Sequence, residues 1–180
     1  GNVSVYNIHE NGHFLIKHTE YTLEQLLQDK KLAKRYLDGY IYVIRLTVDD
    51  YHRYCYAADG RKSEQRKIAG ILHTVNPVAN DVCPIYKMNS REYCLIKTEQ
   101  FGTLLQMEVG ALISNNQQDL GFVHKGVEKG RFEFGGSTII LLTQKNVVIP
   151  DRDLLEHTGS GMETLVKMGE QIGRSANRLD

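Results

Sequence analysis

Four consecutive residues, Gly135-Gly136-Ser137-Thr138, sit inside strand-like sequence, with Phe132-Glu133-Phe134 before them and Ile139-Ile140-Leu141-Leu142 after. Glycine weakens a strand and marks a bend or a close approach of backbone. A glycine bulge at a barrel corner is one reading. A phosphate-binding glycine loop is a second, but no Lys follows Ser137 and no helix start follows it. The third reading is chemical. Gly136 has no side chain to shield its carbonyl carbon, and the Ser137 hydroxyl can attack that carbonyl where the backbone is strained.

Two further segments carry titratable groups. Asp49-Asp50-Tyr51-His52-Arg53-Tyr54-Cys55 directly follows the apolar run from Tyr40 to Val48. A histidine at a strand end can present its ring to a pocket and exchange a proton near neutral pH. The alternative is that His52 is a surface or structural histidine. His73-Thr74-Val75-Asn76-Pro77 holds a His and an Asn three apart, and the proline keeps Asn76 extended or in a turn. Periodicity alone does not bring those two side chains into one pocket.

The elements around these residues read mostly as strands. Val3 to Ile8 alternates apolar and polar residues, and Phe14 to Lys17 follows a turn at Glu10-Asn11-Gly12-His13. Thr22, with Gln25 three residues on, is a capping-box start for a helix over LEQLLQD that resumes through KKLAKRYL and stops near Gly39. Tyr40 to Val48 is rich in β-branched and aromatic residues. The stretch from Asp49 to Gly60 reads as irregular. Lys67–Val75, Glu92–Lys97, Leu104–Ile113 and Phe132–Leu142 read as strands, and Asp151–Gly173 as a mixed tail with one short helix. The expected fold is mainly β (α+β): one compact, barrel- or sandwich-like domain over residues 1–180, with many short strands and a short N-terminal helical segment.

Composition narrows the class. The 180 residues include 22 basic and 22 acidic side chains. A net charge of zero argues against a dedicated nucleic-acid binder. Cys55, Cys83 and Cys94 form no Cys-x-x-Cys pair, so neither a metal site nor a redox motif is indicated, and they read as reduced thiols. No apolar run is long enough to span a bilayer. The first residues show neither an initiator Met nor a signal-peptide pattern, so the expectation is a chain cut from something longer.

Together these segments resemble the phosphatidylserine decarboxylases. That family has a strand ending in Leu-x-x-x-Asp-Tyr-His-Arg, here Leu46-Thr47-Val48-Asp49-Asp50-Tyr51-His52-Arg53. It has a late Lys-Gly-x-Glu-x-Gly-x-Phe-x-Phe-Gly segment leading to Gly-Ser-Thr, here Lys125 through Thr138. Gln106 to Ala111 looks like the strand before that segment, and Tyr21 to Leu27 like the family's early helix. The resemblance covers essentially the whole chain, in order.

The resemblance implies a self-cleaving pyruvoyl enzyme. Ser137 would attack the Gly136 carbonyl, and the chain would separate into a β chain, 1–136, and an α chain, 137–180, with a pyruvoyl cofactor made from Ser137. That group plays the part pyridoxal phosphate plays elsewhere, as an electron sink for decarboxylation. His52 is then the acid that protonates the substrate's α-carbon, and Arg53 a candidate for the head group. The expected substrate is phosphatidylserine, giving phosphatidylethanolamine and CO2. The expected location is peripheral, on the cytoplasmic face of a membrane. The partners are a phospholipid, the membrane surface and the two chains of one precursor, and a homodimer is left open. No metal is implied. The sequence departs from the family at Cys55, where members often carry a second His that works with Ser and Asp in self-cleavage. Gly1 is read as the glycine of the family's Pro-x-Asp-Gly segment, which puts that Asp upstream. His73 is a candidate substitute for the second His. Two other readings stay open: a pyruvoyl decarboxylase of a soluble amino acid, and an uncleaved domain that binds a lipid or a partner.

Overall fold

The structure is a computed structural model that describes residues 1–16, 19–70, 85–110, 112–115, 121–134 and 137–177. From the N-terminus, β1 (Asn2–Asn7) leads to a hairpin of β2 (His13–Ile16) and β3 (Thr19–Thr22), then α1 (Leu23–Leu27), α2 (Lys30–Ala33) and a 3-10 turn (Lys34–Tyr36). Next come β4 (Tyr40–Leu46), β5 (Arg53–Cys55), β6 (Gly60–Lys62), β7 (Arg66–Ile68), α3 (Ile85–Met88), β8 (Arg91–Lys97), β9 (Thr103–Val109) and β10 (Leu112–Asn115). The remaining elements are β11 (Gly121–Val123), β12 (Glu128–Phe134), β13 (Ser137–Leu142), β14 (Val148–Pro150), α4 (Arg152–Gly159), β15 (Thr164–Leu165) and β16 (Gly173–Ser175).

Nine strands pair into one sheet, in the order β11-β6-β8-β9-β13-β4-β1-β15 with β7 also on β8; β10, β12 and β5 form a second. Strand alternation gives the large sheet two buried faces. Val43, Met107 and Ile140 point to one side, where Leu23, Leu26 and Leu27 of α1 and Phe14 of the hairpin cover them. Val5, Tyr42 and Leu141 point to the other, against Leu154 of α4. The second sheet lies over this same face further along, where the Gln106 side chain reaches the backbone of Cys55 and Ala57. The arrangement is sandwich-like, and the described strands close no barrel.

The helical start falls where the sequence puts it. Thr22 Oγ1 accepts from the Gln25 amide at 3.2 Å. The Gln25 side chain reaches to α3, where its Oε1 accepts from Lys87 Nζ at 2.8 Å. Arg91 closes the other end of α1. Its buried guanidinium donates to the carbonyls of Gln25, Leu26, Lys87 and Asn89 at 2.7–3.0 Å, and burial pulls its pKa down to about 10, leaving it charged at neutral pH. Arg91→Leu orphans those carbonyls and should cost about 3 kcal/mol or more in urea unfolding.

Four sequence expectations need correction. Leu104–Ile113 is two strands in different sheets, β9 and β10. Phe132–Leu142 likewise divides into β12 and β13, which lie in different sheets, and Ser137-Thr138 of the tetrad open β13. The stretch from 49 to 60 contains β5, which the second sheet stabilises. The Lys67–Val75 strand is realised only as β7, ending at Ile68, and residues 71–75 lie outside the described residues.

Candidate functional site

β13 pairs with β4 so that Ser137 faces Leu46, and β12 pairs with β5 so that Arg131 faces Arg53. Two connections therefore cross between the sheets at the same end of the molecule. Residues 47–52 run from the large sheet to the small one, while β12 ends in the small sheet at Phe134 and β13 begins in the large one at Ser137. A backbone bond from the Phe132 amide to the His52 carbonyl, 3.0 Å, holds the 47–52 crossing against β12. This topology brings His52 and Ser137, 85 positions apart in the chain, to one end of the fold.

The first crossing is tightly turned. Asp50 Oδ2 accepts from the Thr47 amide at 2.7 Å and from its hydroxyl at 3.0 Å, and the amide bond above all holds the Asp50 carboxyl below the usual carboxylate range. The turn aims the half-buried His52 ring. Its Nδ1 lies 2.7 Å from the Asp50 carbonyl oxygen, which can only accept, so Nδ1 carries a proton and Nε2 is the nitrogen left for chemistry. Ser137 opens β13 and is 1% exposed. Arg53 leaves β5 half-exposed and pairs with Glu128 at 2.6 Å, a contact that solvent screens. Cys55, where the family often has its second His, is half-buried, and burial, followed by the nearby Glu128, pushes its thiol up. It stays a thiol at neutral pH and is a poor proton acceptor. Gly136 and His73 lie outside the described residues.

A buried polar group escaped the sequence reading. Lys129 Nζ donates to Glu108 Oε2, with both side chains essentially inaccessible. Glu108 also accepts from Gln106 Nε2 at 3.2 Å and Gln65 Nε2 at 3.3 Å. Burial pushes the Glu108 carboxyl up, and the Lys129 ammonium opposes that. Among the described residues no group of three or more His, Cys, Asp or Glu side chains could hold a metal ion. Two surface clefts border the β2–β3 hairpin and its neighbouring turns, and neither is lined by His52, Arg53 or Ser137.

The family model described as phosphatidylserine decarboxylase matches residues 1–174. The chain is 44% identical over 173 residues to phosphatidylserine decarboxylase proenzyme 2 of Clostridium acetobutylicum, covering 95% of this chain and 60% of that protein. It is 40% identical over 183 residues to the phosphatidylserine decarboxylase proenzyme of Fusobacterium nucleatum, covering 98% and 61%. For the proenzyme of Ruminiclostridium cellulolyticum the identity is 43% over 168 residues, covering 91% and 56%. The chain thus spans roughly three fifths of the length of these relatives. With a family model matching residues 1–174 and relatives 40–44% identical over nearly its whole length, the chain belongs to the phosphatidylserine decarboxylase family.

Proposed function

We propose that the protein bearing this chain cuts itself between Gly136 and Ser137 and then decarboxylates phosphatidylserine to phosphatidylethanolamine. The observation that carries the reading is that the buried Ser137 pairs with Leu46, at the start of the crossing that carries His52, while His52 bonds to β12 through Phe132.

In the cleavage, Ser137 Oγ adds to the Gly136 carbonyl carbon and the peptide C–N bond breaks, leaving an ester and a free amine at 137. A base then removes the Cα proton of residue 137, and the Cβ–Oγ bond breaks. Gly136 departs with a carboxylate. Water adds to the dehydroalanine so formed, ammonia leaves, and the new N-terminus is a pyruvoyl group. The fold suits both outcomes. β13 is hydrogen-bonded to β4 on one side and β9 on the other, so the α chain stays locked in the centre of the sheet after the cut. Ser137 is small, buried and at the first position of its strand, next to the crossing that carries His52.

When formed, the pyruvoyl carbonyl supplies an electrophile for the substrate amine and an electron sink for the charge left as CO2 departs. His52 completes the reaction. Its protonated ring gives the Nε2 proton to the substrate's α-carbon, and the neutral ring left behind is the tautomer that the Asp50 carbonyl selects. Arg53 offers a cation on the same crossing, and drawing it to a phosphate would require release of Glu128.

One observation favours a lipid over a soluble amino acid. Val48 is 94% exposed and Tyr51 is 70% exposed, on the crossing that carries His52. An apolar edge beside the reacting groups suits a membrane surface, on which the protein would sit peripherally. No helix among the described residues is long and apolar enough to cross a membrane. CO2 release by the full-length protein from phosphatidylserine vesicles and from free serine tests the reading. Turnover of the vesicles alone is expected, and turnover of serine alone would move the assignment to a soluble substrate.

A further inference from the structure

The Lys129–Glu108 pair is buried at 1% and 0% side-chain exposure, and the reactions above make no use of it. Such a pair is a weak stabiliser, because desolvating two charges costs as much as their attraction returns, and apolar replacements are often as stable. Three features of its position give it a different task. First, Lys129 points inward only because β12 is bulged. Arg131 is exposed and Phe132 buried, and simple alternation would then send Lys129 outward. The register against β5 shifts between Glu128 and Gly130, so Lys129 and Gly130 are buried in succession. Bulges of this kind re-aim side chains beside active sites. Second, Glu108 faces Ile139 across the β9–β13 ladder, which makes it a same-face diagonal neighbour of Ser137, about 7 Å away between backbones. Third, residues 108 and 109 of β9 hold both strands that flank the Gly136–Ser137 bond. Val109 pairs with Thr138 of β13 through the backbone, and Glu108 grips β12 through Lys129.

We propose that Lys129 and Glu108 are positioning residues for self-cleavage: they pin the bulge of β12 to β9 and so fix the approach of the chain to Ser137. The inference rests on the self-cleavage reading. Serine attack on its own preceding carbonyl needs a particular backbone geometry, and a misplacement near 1 Å can cost on the order of 10²-fold in rate. A tether from the neighbouring strand supplies that constraint without entering the chemistry.

The test follows cleavage of newly made full-length protein on a denaturing gel, with thermal melts in parallel. Lys129→Met/Glu108→Leu removes the tether and leaves no charge buried. It should melt near the parent temperature yet cleave on the order of 10²-fold more slowly. Glu108→Gln keeps the shape and an acceptor oxygen for Lys129 but leaves the buried ammonium without a counter-charge, so its melt should fall while its folded fraction cleaves close to the parent rate. Parental cleavage in the folded double variant would overturn the proposal, as would equal slowing in both variants. A parent that never cleaves would instead overturn the self-cleavage reading itself. One measurement needs no variant at the pair. In uncleavable Ser137→Ala protein, hydrogen exchange at residues 128–134 should be as slow as at 103–109, and loop-like exchange at 128–134 would refute a pinned strand.

Discussion

Full-length protein carrying Ser137→Ala is expected to remain a single chain and to release no CO2 from phosphatidylserine. The hydroxyl is the only atom of residue 137 that can open the Gly136 carbonyl, and in the proposed reaction the same residue becomes the carbonyl group on which decarboxylation depends. Both activities are therefore lost together, and the loss is complete. The fold should survive, because the substitution removes one buried hydroxyl at the first position of β13 and leaves its ladders with β4 and β9 in place. A denaturing gel and a CO2 assay read the result. Two chains from the Ser137→Ala protein would remove Ser137 from the cleavage.

His52→Ala has the next largest effect. Turnover per cleaved molecule should fall by roughly 10² to 10⁴, the range for a lost general acid or base, while cleavage proceeds. The expectation follows from the ring's orientation: Nδ1 is committed to the Asp50 carbonyl, and Nε2 is left to meet substrate. Asp50 is itself held by Thr47, so the turn aims the ring without contacting substrate. The competing role is the base of maturation, since Cys55 is a protonated thiol where the family often has another His. Slow cleavage with normal turnover per cleaved molecule would assign His52 to that role instead. Loss of both, with an unchanged melt, would show one ring serving both steps.

The candidate site residues stood out in the sequence because their signals are local. A glycine pair before a serine inside apolar sequence is conspicuous without any knowledge of the fold, and so is His52 between Tyr51 and Arg53 after a strong strand. The helix start at Thr22 was legible for the same reason, since a cap depends on residues three apart. Partition between sheets was not. Leu104–Ile113 and Phe132–Leu142 are apolar and strand-forming throughout, and nothing within them says that β9 and β13 join one sheet while β10 and β12 join another. The inward face of β9 was hidden too. Gln106 and Glu108 alternate with Leu105, Met107 and Val109, a pattern that reads as a solvent-facing edge. It becomes an interior only because the second sheet covers it. Lys129 was hidden by the bulge, which reverses the alternation that periodicity assumes.

The central claim is that residue 137 becomes a carbonyl group by cleavage of the chain's own backbone. The intact mass of the denatured full-length protein tests it most directly. The account predicts two chains separated at Gly136–Ser137, the C-terminal one lighter by one ammonia than the same chain beginning with serine. A single uncut chain, or a C-terminal fragment that begins with an unmodified serine, would contradict it.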